Sequence, residues 1–279
     1  MKSWLTILAM ALLPVACGPA TETASLDAAA AGQAVRIVSL DYCADQYVLK
    51  LVDRERILAV SPDATSTFSY MREAAKGLRT IRPRAEDVLV AQPDLVVRSY
   101  GGGPGAAALF QRAGVPVLNV GWVANLDDVK RVTMEMAESL GERQRGEQLV
   151  SELDARLLSL HQSEPRYKAL YMTPSGVTSG PGSLIHEMLL AAGLSNFQEQ
   201  PGWRSLPLER LAYETPDLVA AAFFESHTNH KDAWSAMRHP MARRQMRDIP
   251  TVNLQGAWTS CGGWFLMDAI EALAQGVAK

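Results

Sequence analysis

The chain has 279 residues, 48% of them hydrophobic and 20% charged, with a formal net charge of -3. That balance belongs to a soluble globular protein with room for one large core or two modest ones. Lys and Arg are scattered among Asp and Glu, which excludes a polyanion-binding surface and with it a nucleic-acid partner.

Lys2 precedes an apolar run, residues 4–16, which is too short to span a bilayer and suits a secretory leader. Leu13-Pro14-Val15-Ala16-Cys17 is similar to a lipobox, which would leave Cys17 as a lipidated N-terminus. Cleavage in the small-residue stretch 28–34 is the alternative, and the lipobox is weakened by Pro14. In both cases residues 1–34 are an export leader, and the expected location is periplasmic or extracytoplasmic. No other stretch approaches the ~20 apolar residues of a membrane span. Cys43 and Cys261 remain after the leader. A bridge between them is open in an oxidising compartment, but independent half-buried thiols are the expectation.

Apolar runs at 36–40, 57–60, 95–98 and 117–120 predict strands, and the stretches 44–52, 85–91 and 106–113 between them predict helices. The rhythm then breaks. Residues 126–161 read as helix only: Val129, Val132, Met136 and Leu140 share one face, and Gly141 suits a C-terminal cap. Leu149, Leu153, Leu157 and Leu160 mark a second helix, which Pro165 ends. Alternation resumes with strands at 169–172, 218–223 and 251–254, and with helices at 183–192, 208–213, 233–247 and from 264 to the end. The fold class is therefore α/β, with two Rossmann-like lobes of parallel sheet joined by a long backbone helix. The expected divisions are 35–125 for the N-terminal lobe, 126–164 for the helical linker and 165–279 for the C-terminal lobe.

The two halves echo each other. Glu86 stands seven residues before Pro93-Asp94-Leu95-Val96, and Glu209 stands seven before Pro216-Asp217-Leu218-Val219. Val115-Pro116-Val117-Leu118-Asn119-Val120 likewise matches Ile249-Pro250-Thr251-Val252-Asn253-Leu254. Each unit reads as a short helix, a turn initiated by proline and a buried strand. Two matches in the same order point to a duplicated lobe. Such lobes enclose a cleft at the C-terminal ends of their strands, where open α/β sheets bind ligands. Glu86 and Glu209 then become equivalent acids, suited to docking on a two-fold symmetric partner. Taken singly, each is an ordinary acid at a helix N-terminus.

With Arg36-Ile37-Val38-Ser39-Leu40, Ser179-Gly180-Pro181-Gly182-Ser183 and Leu189-Leu190-Ala191-Ala192-Gly193-Leu194-Ser195-Asn196, these motifs resemble the iron-chelate and vitamin B12 class of periplasmic substrate-binding proteins of ABC importers. The resemblance covers the mature chain. It implies a monomer that carries cobalamin or a ferric siderophore, has no intrinsic cofactor, and delivers its ligand to a permease dimer with a cytoplasmic ATPase. It also implies that Glu86 and Glu209 meet permease arginines.

For a ligand of flat rings and apolar edges, aromatic side chains in strand-end loops are the expected contacts. Tyr42, Tyr100, Trp203 and Trp258 are the candidates, with Arg82 for an anionic group. Trp203 lies six residues before Glu209, a spacing similar to a ligand-facing Trp of B12-binding members, whereas Thr80 stands where those members carry Trp. Trp122 and Trp264 are expected in the core, and Arg79 and Arg84 in solvent. Gly101-Gly102-Gly103-Pro104-Gly105 lacks the Lys-Ser/Thr of a phosphate loop, so it reads as a flexible cleft loop. His227-Thr228-Asn229-His230, with Asp232 and His239, lacks a zinc-site spacing and reads as a polar surface loop. Cys43 has no assignable His and acid partner, so no catalytic residues and no metal ligands are assigned. The alternative functions are a heme- or free-metal-binding protein or metallochaperone and, behind it, an α/β metalloenzyme.

Overall fold

A computed structural model of the chain describes residues 34–160, 167–222 and 235–276. The leader with Cys17, and the segment from His227 to Asp232, lie outside the described residues.

The N-terminal half runs β1 (Ile37–Ser39), α1 (Tyr42–Leu51), β2 (Ile57–Ala59), α2 (Arg72–Ala75), α3 (Ala85–Val90), β3 (Leu95–Arg98), α4 (Ala106–Arg112) and β4 (Val117–Asn119). Two longer helices follow, α5 (Leu126–Ser139) and α6 (Arg143–Ser159). The rest is β5 (Tyr167–Met172), β6 (Val177–Ser179), α7 (Leu184–Ala191), β7 (Leu194–Asn196), β8 (Trp203–Ser205), β9 (Leu218–Ala222), α8 (Pro240–Asp248), β10 (Thr251–Leu254), α9 (Gly256–Thr259) and α10 (Leu266–Gly276).

The first sheet has the order β2-β1-β3-β4 and the second β7-β5-β9-β10, and both are parallel throughout. These are the same topology, with β5, β7, β9 and β10 standing for β1, β2, β3 and β4. The repeat holds at the level of single bonds. Asp94 accepts from Val35 N at 3.2 Å and donates its own N–H to Arg36 O at 3.0 Å. Asp217 accepts from Lys168 N at 2.7 Å and donates to Lys168 O at 2.8 Å. In each half the Pro-Asp pair therefore pins the start of the first strand to the third. The fourth strand enters identically: Val96 N donates to Pro116 O at 3.0 Å and Val219 N to Pro250 O at 2.9 Å.

The helix pair α5–α6 belongs to both cores. Val132, Met136, Leu140 and Leu149 pack into the N-terminal core, while Val129 and Leu153 pack into the C-terminal one. Gly141, at φ 77, closes α5, with Glu142 N donating to Ala137 O at 2.7 Å. Gly146 permits the close crossing, since a Cβ there would lie 2.4 Å from the Ala137 methyl. At 1.5 Å per residue the 17 residues of α6 form a rod of about 26 Å. Arg145 ties one end to Asp53, and Arg156 ties the other to Asp268 and Glu271.

Several expectations are corrected. The stretch 233–247 is not one helix, because a 3-10 turn at Ala236–Arg238 is followed by α8, which starts at Pro240 with His239 capping Met241 N. The helix predicted at 208–213 shortens to a 3-10 turn, Arg210–Ala212. Strands β6, β7 and β8 are too short to show any period. Cys43 and Cys261 are joined in a disulfide with Cα atoms 5.6 Å apart, not independent thiols. The segment carrying Cys261 crosses between lobes: Trp264 and Phe265 fill the N-terminal core, and Leu266, Met267 and Ile270 the C-terminal one.

Asp45, in the first turn of α1, is buried and accepts from Ser61 N at 3.1 Å and Ser61 Oγ at 2.6 Å. Loss of hydration outweighs these bonds and pushes its carboxyl up to about 6. A folded-state value raised above the unfolded one contributes stability that is complete below about pH 4 and lost as the pH rises through about 6. Asp45→Asn removes this dependence. In urea denaturation the stability of the variant relative to the parent is expected to rise by about 2 kcal/mol from pH 4 to pH 7. A difference that stays constant with pH rejects the assignment.

Candidate ligand cleft and docking face

Asp41 organises the N-terminal wall. It caps α1 by accepting from Ala44 N at 3.0 Å. Its other oxygen accepts from three successive N–H groups, Ser99 at 2.7 Å, Tyr100 at 3.0 Å and Gly101 at 2.8 Å. The carboxylate thus clamps the loop after β3 to the start of α1. Gly101 is required there, since a Cβ would lie 2.5 Å from Leu40 O. The clamp sets Tyr42 and Tyr100 edge to face, with ring centroids 5.9 Å apart, and Phe68 packs on Tyr42 at 4.8 Å. Burial raises the pKa of both hydroxyls. Sequence reasoning missed Asp41, although an Asp between a buried strand and an apolar helix is a readable capping signal.

Between the lobes lies a cleft of about 550 Å³. The N-terminal half contributes Ser99, Val120 and Trp122, the C-terminal half Tyr171, Ser183 and Trp203, and the Cys43–Cys261 bridge forms part of the lining. No Asp, Glu, Lys, Arg or His is among the described residues that line it. Trp122 is 83% exposed and Trp203 59%, one on each wall. Trp122 therefore leaves the core expected for it, whereas Trp264 is buried as read. Gly121, just before it, runs close against α5, since a Cβ there would lie 2.8 Å from the Val132 side chain.

The other candidates separate. Tyr42 and Tyr100 each adjoin a lining residue, Cys43 and Ser99. Arg82 is exposed on the loop before α3 and does not line the cleft. Trp258 packs against the C-terminal core, and its neighbours Thr259, Ser260 and Cys261 line the cleft instead. Arg98, not singled out from sequence, sits under the glycine loop and donates to Tyr100 O and Gly103 O. Among the described residues no group of three or more His, Cys, Asp or Glu is placed to hold a metal ion, and no helix is long and apolar enough to cross a membrane.

Glu86 is exposed in the first turn of α3, and Glu209 is exposed at the entry to the 3-10 turn. Arg210 braces the second site through Glu199 and Glu214, both at 2.8 Å, with its guanidinium 4.4 Å from the Phe197 ring centre. Four residues after each Glu stands an exposed apolar side chain, Val90 at 85% and Tyr213 at 91%. The repeat is thus one of surface chemistry as well as topology.

A family model described as periplasmic binding protein matches residues 37–245. The chain belongs to the periplasmic binding protein family. Solved structures agree in fold. The periplasmic heme-binding protein RhuT from Roseiflexus sp. RS-1 is 22% identical, with a TM-score of 0.67 over 86% of this chain and 98% of that one. The periplasmic heme-binding protein HutB of Vibrio cholerae is 17% identical, with a TM-score of 0.70 over 88% and 99%. An ABC-type Fe3+-hydroxamate transport system protein from Saccharomonospora viridis is 18% identical, with a TM-score of 0.65 over 89% and 94%. No curated protein sequence matches the chain. The sheet orders and linker helices of this binding protein are thus those of a known two-lobed fold.

Proposed function

We propose that this binding protein works outside the cytoplasm, holds a large uncharged metal chelate in the interlobe cleft, and delivers it to the permease of an ABC importer. The observation that carries the reading is a roomy cleft with Trp122 and Trp203 on opposite walls and no charged side chain among the described residues that line it. Indole faces suit flat or apolar ligand surfaces. Among the described lining residues a multiply charged anion would find no counter-charge, and desolvating it carries a cost that grows steeply in a low-dielectric site. Cobalamin and a neutral ferric hydroxamate siderophore meet this requirement, and a ferric catecholate anion does not. The disulfide supports an oxidising compartment.

Heme is the second reading, supported by the neighbours described as heme-binding and by the tyrosines beside the cleft. Against it, burial raises Tyr42 and Tyr100, so iron would have to displace protons from phenols that ionise less readily than usual.

Titration with cyanocobalamin, ferrichrome, a ferric catecholate and hemin, followed by tryptophan fluorescence and absorbance, separates these readings. The expected result is quenching by one or both of the first two at micromolar concentration or below. A Soret shift with hemin and no response to either neutral chelate would move the assignment to heme.

A further inference from the structure

Three hydroxyls of the C-terminal half are buried and lack a hydrogen-bond partner among the described residues, Tyr171 Oη, Thr178 Oγ1 and Ser179 Oγ, and two of them, on Tyr171 and Ser179, belong to neighbours of Trp203. Tyr171 lies in β5 and lines the cleft. Ser179 ends β6, where it pairs directly with Trp203 of the antiparallel strand β8. Residues opposite each other in such a pair project from the same face of the ribbon. The Trp203 ring also meets Tyr171 edge to face, with centroids 6.1 Å apart. One half-exposed indole is therefore the common neighbour of Tyr171 and Ser179. The ribbon end that carries it is tightly held: Gly180 N donates to Gly202 O and Gly202 N to Pro181 O, each at 2.9 Å. A Cβ on Gly180 would lie 1.9 Å from Gln200 O, so only glycine permits this close approach of the two segments.

A buried hydroxyl left unbonded destabilises the fold unless a binding event uses it. Burial raises the Tyr171 phenol well above its ordinary value, so at neutral pH it is a donor and not an anion. We propose that Tyr171 and Ser179 form a hydrogen-bonding subsite for neutral acceptor oxygens on the rim of the bound chelate, such as amide or hydroxamate carbonyls, with Trp203 as a cover that turns aside when the ligand seats. The proposal rests on the functional reading above and narrows it, because it asks for a ligand edged with carbonyl acceptors.

Tyr171→Phe removes the hydroxyl and leaves the ring, so it separates a donor role from a packing role. In the ligand-free protein its Tm is expected to equal or exceed that of the parent, since no bond is lost. With cyanocobalamin and ferrichrome as probes, its Kd for whichever one the parent binds is expected to rise at least tenfold. Ser179→Ala is expected to behave alike, with about a threefold rise. A Kd within twofold of the parent for Tyr171→Phe overturns the subsite. So does a fall of several degrees in its ligand-free Tm, which would mean that the hydroxyl is bonded within the fold. If the parent itself binds neither probe, the functional reading fails first, and the variants need not be consulted to see it.

Discussion

Replacing Glu86 and Glu209 together with alanine is expected to abolish uptake of the ligand while leaving its Kd unchanged within twofold. Both acids are exposed, so neither substitution disturbs the cores. They precede corresponding strands, β3 and β9, of two sheets of the same strand order, and each is followed four residues later by an exposed apolar side chain. A surface repeated in this way fits a partner that is itself two-fold symmetric, with a cation and an apolar recess at each of two sites. Truncating one member of a desolvated interfacial ion pair costs about 2–5 kcal/mol, so loss of both weakens docking about a thousandfold even at the lower bound. Each single variant should retain measurable uptake, because the other lobe still docks. The measurement is transport into proteoliposomes carrying the cognate permease and ATPase, alongside ligand titration of the free protein. Undiminished transport by the double variant would leave the two acids as charges at the starts of helical turns and nothing more.

The second large effect concerns the bridge between Cys43 and Cys261. The two residues are 218 positions apart, and the bond ties the first turn of α1 to the segment that crosses from α9 to α10. A cross-link closing so long a loop removes much of the freedom of the unfolded chain and contributes about 2–5 kcal/mol. For a chain of this size, that is a fall in Tm of about 5–15 °C when both cysteines become serine. Dithiothreitol should lower the Tm of the parent by a similar amount and leave that of the double variant where it is. The bridge also forms part of the cleft lining, so its loss is expected to speed ligand release. A parent protein indifferent to the reductant would show that the thiols are not joined in solution.

The duplicated lobe was legible because it rests on local chemistry. Proline before aspartate ends one element and starts the next, and the Asp pins a neighbouring strand in both halves. The α5–α6 faces were legible for the same reason, since their leucines and valines recur at the helical period. The antiparallel ribbon of β6 and β8 was not. Three residues such as Val177-Thr178-Ser179 carry no period, and their pairing depends on glycines more than 20 residues apart. The site was legible in part. Tyr42, Tyr100 and Trp203 were chosen because they follow strands or sit in turn-forming sequence, and the structure sets them beside or in the cleft wall. Trp122 and Trp258 exchanged places, because exposure after a strand depends on which helix the chain meets next.

By itself, the order of apolar runs, turn residues and matched motifs determined that this protein has two like α/β lobes, a helical linker and one acid at the same position in each lobe. These are consequences of backbone preference and hydrophobic period, which act over a few residues. Only the tertiary structure decided that Cys43 meets Cys261, that Asp41 clamps the loop of Tyr100, and that Trp203 stands against Tyr171 and opposite Ser179. Those contacts join residues distant in the chain, and their geometry follows from how the two sheets and the helix pair pack, which no local pattern encodes.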